Sequence, residues 1–187
     1  MLLPYACVTS LVFLSIVFSA ESLFTYGKVG NCWAYIHPYN PLYPFAPDEE
    51  IIVGLVPFDS DLDLGWLVAT SVFMYLNFAC ALITFIFCVI GIIIFILRGD
   101  ASYQKYIYVI LSGATFLTGL FGAVAFVIFV ASYKEDLEDV FGNIDFPADV
   151  SIGYSPFLDL IGFVIAIIAT GVSAFFAIAL LNPNNEN

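Results

Sequence analysis

Four long stretches of this chain contain no Asp, Glu, Lys, Arg or His side chain, and they decide what the chain can fold into. A helix of about 20 apolar residues crosses the roughly 30 Å hydrocarbon core of a bilayer, and each stretch provides about that length or more. The mean hydropathy of +1.02 exceeds what a soluble domain can sustain, because polar groups must cover its outside. The charge-free stretches are residues 2–20, 64–97, 106–133 and 160–185.

These stretches predict an all-α membrane protein whose residues 1–187 form a single four-transmembrane-helix bundle. The second stretch is longer than a bilayer requires, so we expect that helix to tilt or to project from the membrane. The predicted spans are about 2–20, 66–97, 106–133 and 157–181.

The first stretch has a second interpretation as a secretory signal peptide cut at Ala20. A signal peptide begins with a positively charged region, whereas no Lys or Arg precedes Lys28. We therefore expect residues 2–20 to remain as the first span. If they are cleaved, three spans remain and the argument about sidedness changes.

The connecting segments differ sharply in charge, and this difference predicts their sides. Residues 21–63 and 134–159 each carry seven acidic side chains and one basic one, whereas the linker 98–105 holds two of the four bases. Basic residues favour cytosolic loops. We therefore expect a plasma-membrane protein with a cytosolic linker at 98–105, cytosolic termini, and outer loops at 21–65 and 134–156. The net charge of −12 excludes nucleic acid as a partner, since such binding needs a basic surface.

The first outer loop contains a proline at every third position from Pro38 to Pro47. Polyproline II has three residues per turn, so these prolines predict a stiff rod with aromatic side chains on its other edges. One interpretation is a preorganised surface that docks a neighbouring protein; the other is a loop packed on its own outer domain or on lipid headgroups. The candidate partner-binding residues are Tyr35, Pro38, Tyr39, Pro41, Tyr43, Pro44, Phe45 and Pro47.

The same loop carries three runs rich in aromatic and β-branched residues, at 22–27, 31–36 and 49–58. Such runs are typical of strands, so we expect a small extracellular β-layer from this loop. Asp59, Asp61 and Asp63 alternate as in a calcium loop, but the glycine comes one place late and Thr70 stands where that loop has Glu. We therefore expect no metal site.

Cysteine and histidine usage gives no catalytic site. Cys32 is the only cysteine predicted outside the spans, so it is either a free buried thiol or half of an intermolecular disulfide. His37 is the single histidine, and no set of residues suited to nucleophilic catalysis, phosphate binding or metal binding is present. We expect no enzyme and no cofactor. A proton relay is disfavoured because the spans contain almost no ionisable residue.

Small residues recur at intervals of four along the third and fourth predicted spans. Lipid tails are as apolar as leucine, so helices in a bilayer associate by close packing of small residues and by interhelical hydrogen bonds. Asn77 is the one carboxamide deep in a predicted span, which indicates such a bond. The predicted helix-packing residues are Asn77, Gly113, Ala114, Thr118, Gly119, Gly122, Gly162, Ala166, Thr170 and Ala174.

Three segments resemble the claudin superfamily, which includes claudins, epithelial membrane proteins, calcium-channel gamma subunits and fungal eisosome tetraspans. Residues 112–133 are similar to that family's third span, residues 153–172 to its entry into the fourth span, and "GKVGNC" at 27–32 to the fungal Gly-x-x-Gly-x-Cys pattern. The family's Gly-Leu-Trp motif and second outer cysteine are missing here. The resemblance implies a left-handed four-helix bundle under an extracellular sheet and association with other proteins in the membrane plane. It does not imply a paracellular pore.

Three functions agree with these features. The first, which is the one we expect, is a non-catalytic auxiliary or assembly subunit of a larger membrane complex such as a channel or receptor. The second is a structural protein that associates with itself in a cell junction or membrane microdomain. The third is a small oligomeric pore, which is disfavoured because no predicted span has a polar stripe. The expected partners are another integral membrane protein or a second copy, together with the lipid bilayer.

Overall fold

The computed structural model describes residues 2–24, 34–38, 51–53, 65–98, 101–142 and 148–181. They form four long helices and three short strands. In chain order the elements are α1 (Leu2–Phe24), β1 (Ala34–Pro38), β2 (Ile51–Val53), α2 (Gly65–Arg98), α3 (Ala101–Gly142), β3 (Ala148–Ile152) and α4 (Ser155–Leu181).

All four helices are long and apolar enough to cross a bilayer, so the predicted multi-pass helical bundle is confirmed. Each helix packs mainly against two others: α2 and α4 flank α1, and the same two helices flank α3. Helices that follow each other in the chain are therefore antiparallel neighbours, as short connections favour. The candidate membrane spans are Leu3–Phe24, Gly65–Leu97, Tyr103–Tyr133 and Ser155–Leu181.

The bundle interior contains two apolar clusters. One includes Leu23, Leu67 and Phe129 and lies where α1 and α3 approach the strands; we call this the sheet end. The other includes Tyr5 and Tyr108 and lies towards the short connection between α2 and α3; we call this the linker end. Large apolar side chains also cover the outer faces of all four helices, as a lipid environment requires.

The three strands form one antiparallel sheet with the order β2-β1-β3. In β1, Tyr35 pairs with Ile52 of β2 on one side and with Ser151 of β3 on the other. Ile152, at the end of β3, packs against the apolar cluster of the sheet end. The sheet therefore joins the two long connectors, since β3 comes from the second of them, where no strand was predicted.

Two element boundaries differ from simple expectation. The run at 22–27 was predicted as a strand, but Ser22–Phe24 complete α1, where Ser22 and Leu23 are buried in the bundle. Helix α3 continues nine residues beyond Tyr133 to Gly142, through a sequence rich in the helix-favouring residues Lys, Glu and Leu. The first part of the second long connector is therefore helical.

Helix α4 begins with the pair Ser155-Pro156, directly after a capping residue. The carbonyl oxygen of Tyr154 accepts a hydrogen bond from the backbone N–H of Leu158, at 3.2 Å. Tyr154 is thus the capping position, and Ser155 is the first helical residue. Pro156 follows within the first turn, where its missing N–H costs no helical hydrogen bond.

Candidate functional site

A layer of buried polar side chains separates the two apolar clusters of the bundle. Every helix contributes to it, and its members are short, so the helices lie close together at this level. Polar groups in a bilayer core need partners within the protein, because no water reaches them. The layer consists of Ser15, Ser19, Asn77, Thr84, Thr115, Thr118 and Asp159.

Helices α1 and α4 approach each other within this layer at Gly162. The hydroxyl of Ser15 donates a hydrogen bond of 3.1 Å to the backbone carbonyl oxygen of Gly162. A Cβ on Gly162 would lie 3.4 Å from Ser19 Oγ and 3.5 Å from the Cβ of Phe18. These are ordinary van der Waals distances, so α1 and α4 are in contact here and a small side chain would also fit at this position.

Helices α3 and α4 pack even more tightly. A Cβ on Gly122 would lie 2.8 Å from the Cβ of Phe163, and one on Gly119 would lie 3.0 Å from Ile167 Cγ1. Farther along the same seam, the hydroxyl groups of Thr170 and Thr115 are hydrogen-bonded at 3.0 Å. The structure therefore brings Gly119, Gly122 and Thr170 together at one helix–helix contact.

Asn77 of α2 lies at the centre of the layer and is fully buried. Its Nδ2 donates a hydrogen bond of 3.3 Å to Ser19 Oγ of α1, which is an interhelical bond of the kind its position indicates. Its Oδ1 has no hydrogen-bond partner among the described residues. The carboxamide is thus satisfied on one side only.

Asp159 of α4 is the residue that sequence reasoning missed. Its side chain has 0% exposure, and neither carboxyl oxygen has a hydrogen-bond partner in the described part of the chain. A Cβ added to Gly122 would lie 3.0 Å from Asn77 Nδ2 and 3.4 Å from Asp159 Oδ1. The carboxamide and the carboxyl group therefore share the space beside Gly122.

A signal for Asp159 exists in the sequence. It precedes Gly162 by three residues and Ala166 by seven, which places all three on one helical face. The predicted fourth span, 157–181, contains Asp159, but the charge count grouped the residue with the acidic segment 134–159 and no role in the bundle was assigned to it. Helical spacing, extended one turn towards Ser155, would have placed it inside the bundle.

The remaining predicted packing residues differ in how deeply they are buried. Thr118 and Ala166 are buried, and Ala114 and Ala174 are half-buried. Gly113 is exposed, and a Cβ there would meet no heavy atom within 4 Å. Its assignment to a helix contact within the bundle is therefore wrong, because it lies on the face opposite the buried residues Leu111 and Thr115.

A second group of buried polar atoms lies at the linker end. The rings of Tyr5 and Tyr108 stack with centroids 4.6 Å apart. The hydroxyl oxygen of Tyr5 and both amide atoms of Gln104 are buried without a hydrogen-bond partner among the described residues. Gln104 lies one turn before Tyr108 on α3, so these atoms belong to the same end of the core.

Most residues predicted to act in the first outer loop lie outside the described residues. Tyr35 and Pro38 lie in β1. In the described residues no group of three or more His, Cys, Asp or Glu side chains is arranged to hold a metal ion. The predicted residues that lie outside the described ones are Cys32, Tyr39, Pro41, Tyr43, Pro44, Phe45, Pro47 and the acidic run Asp59–Asp63.

One comparison with known proteins identifies a family. A family model with the description "Tight junction protein, Claudin-like" matches residues 1–181, which include all four helices, all three strands and the polar layer. No curated protein matches the chain.

Proposed function

Because the chain belongs to the claudin-like tight junction family, we propose that it is a non-catalytic structural protein that associates with further copies of itself in the membrane plane at cell junctions. The observation that carries this proposal is the match to the junction family over the whole bundle. The auxiliary-subunit role favoured by the sequence has no comparable support, and it becomes an alternative outcome of the test.

The distribution of polar groups supports a structural role over transport. Most of the described Ser, Thr, Asn and Gln side chains of the four helices lie in the bundle interior, with Asn77 at the centre. The outer faces carry large apolar side chains, among them Phe116, Ile168 and Phe175. Such faces suit lipid and the apolar faces of other spans, and they provide no polar lining for a pore built from several copies.

Charge supports an orientation for this protein. Two of the four basic residues, Arg98 and Lys105, lie in or beside the short connection between α2 and α3, which favours a cytosolic position for the linker end. The termini would then be cytosolic, and the sheet would face outward at the plasma membrane. The proline-rich loop that follows β1 would lie on the same outer side.

The test is assembly in cells that lack junction strands. The tagged full chain is expressed there, freeze-fracture electron microscopy images the cell contacts, and stepwise photobleaching counts copies per particle in liposomes. We expect several copies per particle in the photobleaching counts. We also expect the freeze-fracture images to show such particles concentrated at cell contacts. Particles with one copy, or isolation at fixed stoichiometry with a larger integral protein, would contradict self-association; the latter would support the auxiliary role.

Two variants resolve how copies would associate. Replacing Tyr39, Tyr43 and Phe45 together by Ser removes the aromatic side chains of the proline-rich loop. If this loop docks a neighbour, the variant forms fewer contacts between copies while its bundle unfolds as before. Cys32→Ser is the second variant, and it abolishes any disulfide-linked dimer on non-reducing gels if Cys32 pairs between chains.

A further inference from the structure

We propose that Asp159 is a neutral carboxylic acid that donates a hydrogen bond to Oδ1 of Asn77, and that this bond locks the start of α4 to α1 and α2. The inference concerns the bundle of a single copy and does not depend on self-association. It assigns partners to two buried groups that have none among the described residues, the Asp159 carboxyl group and the Asn77 carbonyl oxygen.

The first step is the surroundings of the carboxyl group. Asp159 Oδ1 and Asn77 Nδ2 of α2 border the same point beside Gly122 of α3, and Asn77 is hydrogen-bonded to Ser19 of α1; none of these three groups carries a charge. Only two other ionisable Asp, Glu, Lys or Arg side chains are described by the structure. Glu21 is exposed, and Lys105 lies at the linker end against the Tyr106 ring. No described cation therefore neutralises Asp159.

The second step is the cost of charge at this place. An isolated carboxylate moved from water into an apolar interior loses far more solvation free energy than a hydrogen bond returns, so such a group becomes neutral instead. A carboxylate can become neutral by taking up a proton or by binding a cation. The choice between the two depends on space.

Space favours the proton. The region beside Gly122 is closely packed, since a Cβ there would stand 2.8 Å from Phe163 and 3.0 Å from Asn77. A proton needs no added volume, whereas a sodium ion needs room and several oxygen ligands.

The third step is the match of donors and acceptors. A neutral carboxyl group has one O–H donor, and the unpartnered Asn77 Oδ1 is an acceptor. Asn77 Nδ2 already bonds Ser19 Oγ, so the chain Asp159–Asn77–Ser19 would connect α4, α2 and α1. Asp159 lies about one turn inside α4, and Ile152 just before that helix packs at the sheet end. The bond would therefore hold in place the end of the bundle that carries the sheet.

The experiment uses the purified full chain in lipid nanodiscs at neutral pH. Difference infrared spectroscopy compares the wild type with Asp159→Asn in the region of the C=O stretch of protonated carboxylic acids. We expect a band in the wild type that is lost in Asp159→Asn and kept in the control Glu21→Gln. If the spectra of the wild type and Asp159→Asn do not differ in this region, the carboxyl group is ionised and the proposal is overturned.

A double-mutant cycle tests the bond itself. The variants Asn77→Leu, Asp159→Leu and their combination give a coupling that we expect to lie between about 3-fold and about 20-fold in the unfolding equilibrium constant, as measured for interhelical hydrogen bonds in membranes. A coupling factor of one overturns the lock. A wild type that is stabilised by added sodium chloride, but not by potassium chloride, overturns the neutral acid in favour of a bound cation. If the Leu variants fail to fold, the infrared comparison still decides.

Discussion

Gly122 of α3 and Phe163 of α4 lie so close together that a Cβ added to the glycine would stand 2.8 Å from the Cβ of the phenylalanine. Side-chain carbons essentially never approach to that distance, and both atoms are fixed close to their backbones. The seam between α3 and α4 therefore depends on glycine at this position. Asn77 and Asp159 border the same point, so the seam also sets the geometry of the polar layer.

Gly122→Ala should destabilise the bundle. The added methyl group forces α3 and α4 apart, and overpacking of this kind costs about 1–3 kcal/mol. The measurement is the free energy of unfolding in mixed micelles as the fraction of denaturing detergent increases.

Gly113→Ala is the matched control for that change, because it places the same methyl group on the same helix with nothing within 4 Å. It should leave the free energy of unfolding unchanged or raise it slightly, since alanine favours helix over glycine. Equal losses in the two variants would mean that the α3–α4 seam does not depend on the close approach at Gly122.

Thr170→Val should lower the free energy of unfolding by about 0.6 kcal/mol, the mean for interhelical hydrogen bonds in a membrane protein. The substitution keeps the shape of the side chain and removes the hydroxyl that lies 3.0 Å from Thr115 Oγ1. Thr84→Val is the control, because the Thr84 hydroxyl donates to the carbonyl of Cys80 in its own helix and bonds no other helix among the described residues. The same detergent titration measures both variants. If only Thr84→Val lowers the free energy of unfolding, the Thr170–Thr115 hydrogen bond does not stabilise the bundle.

Tyr5→Phe should leave the free energy of unfolding unchanged or raise it. The Tyr5 ring stacks on Tyr108, but its buried hydroxyl oxygen has no partner among the described residues, so the substitution removes an unsatisfied polar atom and keeps the stack. Tyr5→Ala removes the ring as well and should cost about 3–5 kcal/mol, as truncation of a buried aromatic does. Thermal unfolding followed by circular dichroism measures both. A clear loss in Tyr5→Phe would mean that the hydroxyl has a partner.

The helices were predictable because the absence of charge follows directly from the solvent around them. A bilayer excludes ionised groups over about 30 Å, so the stretch from Leu64 to Leu97 had to be a span. The small residues of α4 were predictable for a related reason, since Gly162 and Ala166 fall on the buried face at helical spacing.

Other features depend on contacts that the local pattern does not contain. Gly113 has the small size of a packing residue but lies on the face opposite the core, which only the placement of the neighbouring helices decides. Asp159 falls inside the predicted span 157–181, but the local pattern does not show that its side chain is fully buried between α4 and the neighbouring helices. Strand β3 has a weak local signal and depends on pairing with β1, which is more than a hundred residues away in the sequence.

The orientation in the membrane gives the last prediction. In a Cys32→Ser background, Ser151→Cys places a thiol in β3 and Ser102→Cys places one at the start of α3, at opposite ends of the bundle. The remaining cysteines lie within the apolar helices, where Cys88 is buried, so a membrane-impermeant maleimide should label them little.

In intact cells we expect labelling of Ser151→Cys alone, and labelling of Ser102→Cys only after permeabilisation, because the basic linker favours the cytosol. Labelling of Ser102→Cys in intact cells would place the linker outside and reverse the proposed orientation. Labelling of both positions in intact cells would mean that they lie on one side and that α3 does not cross the membrane.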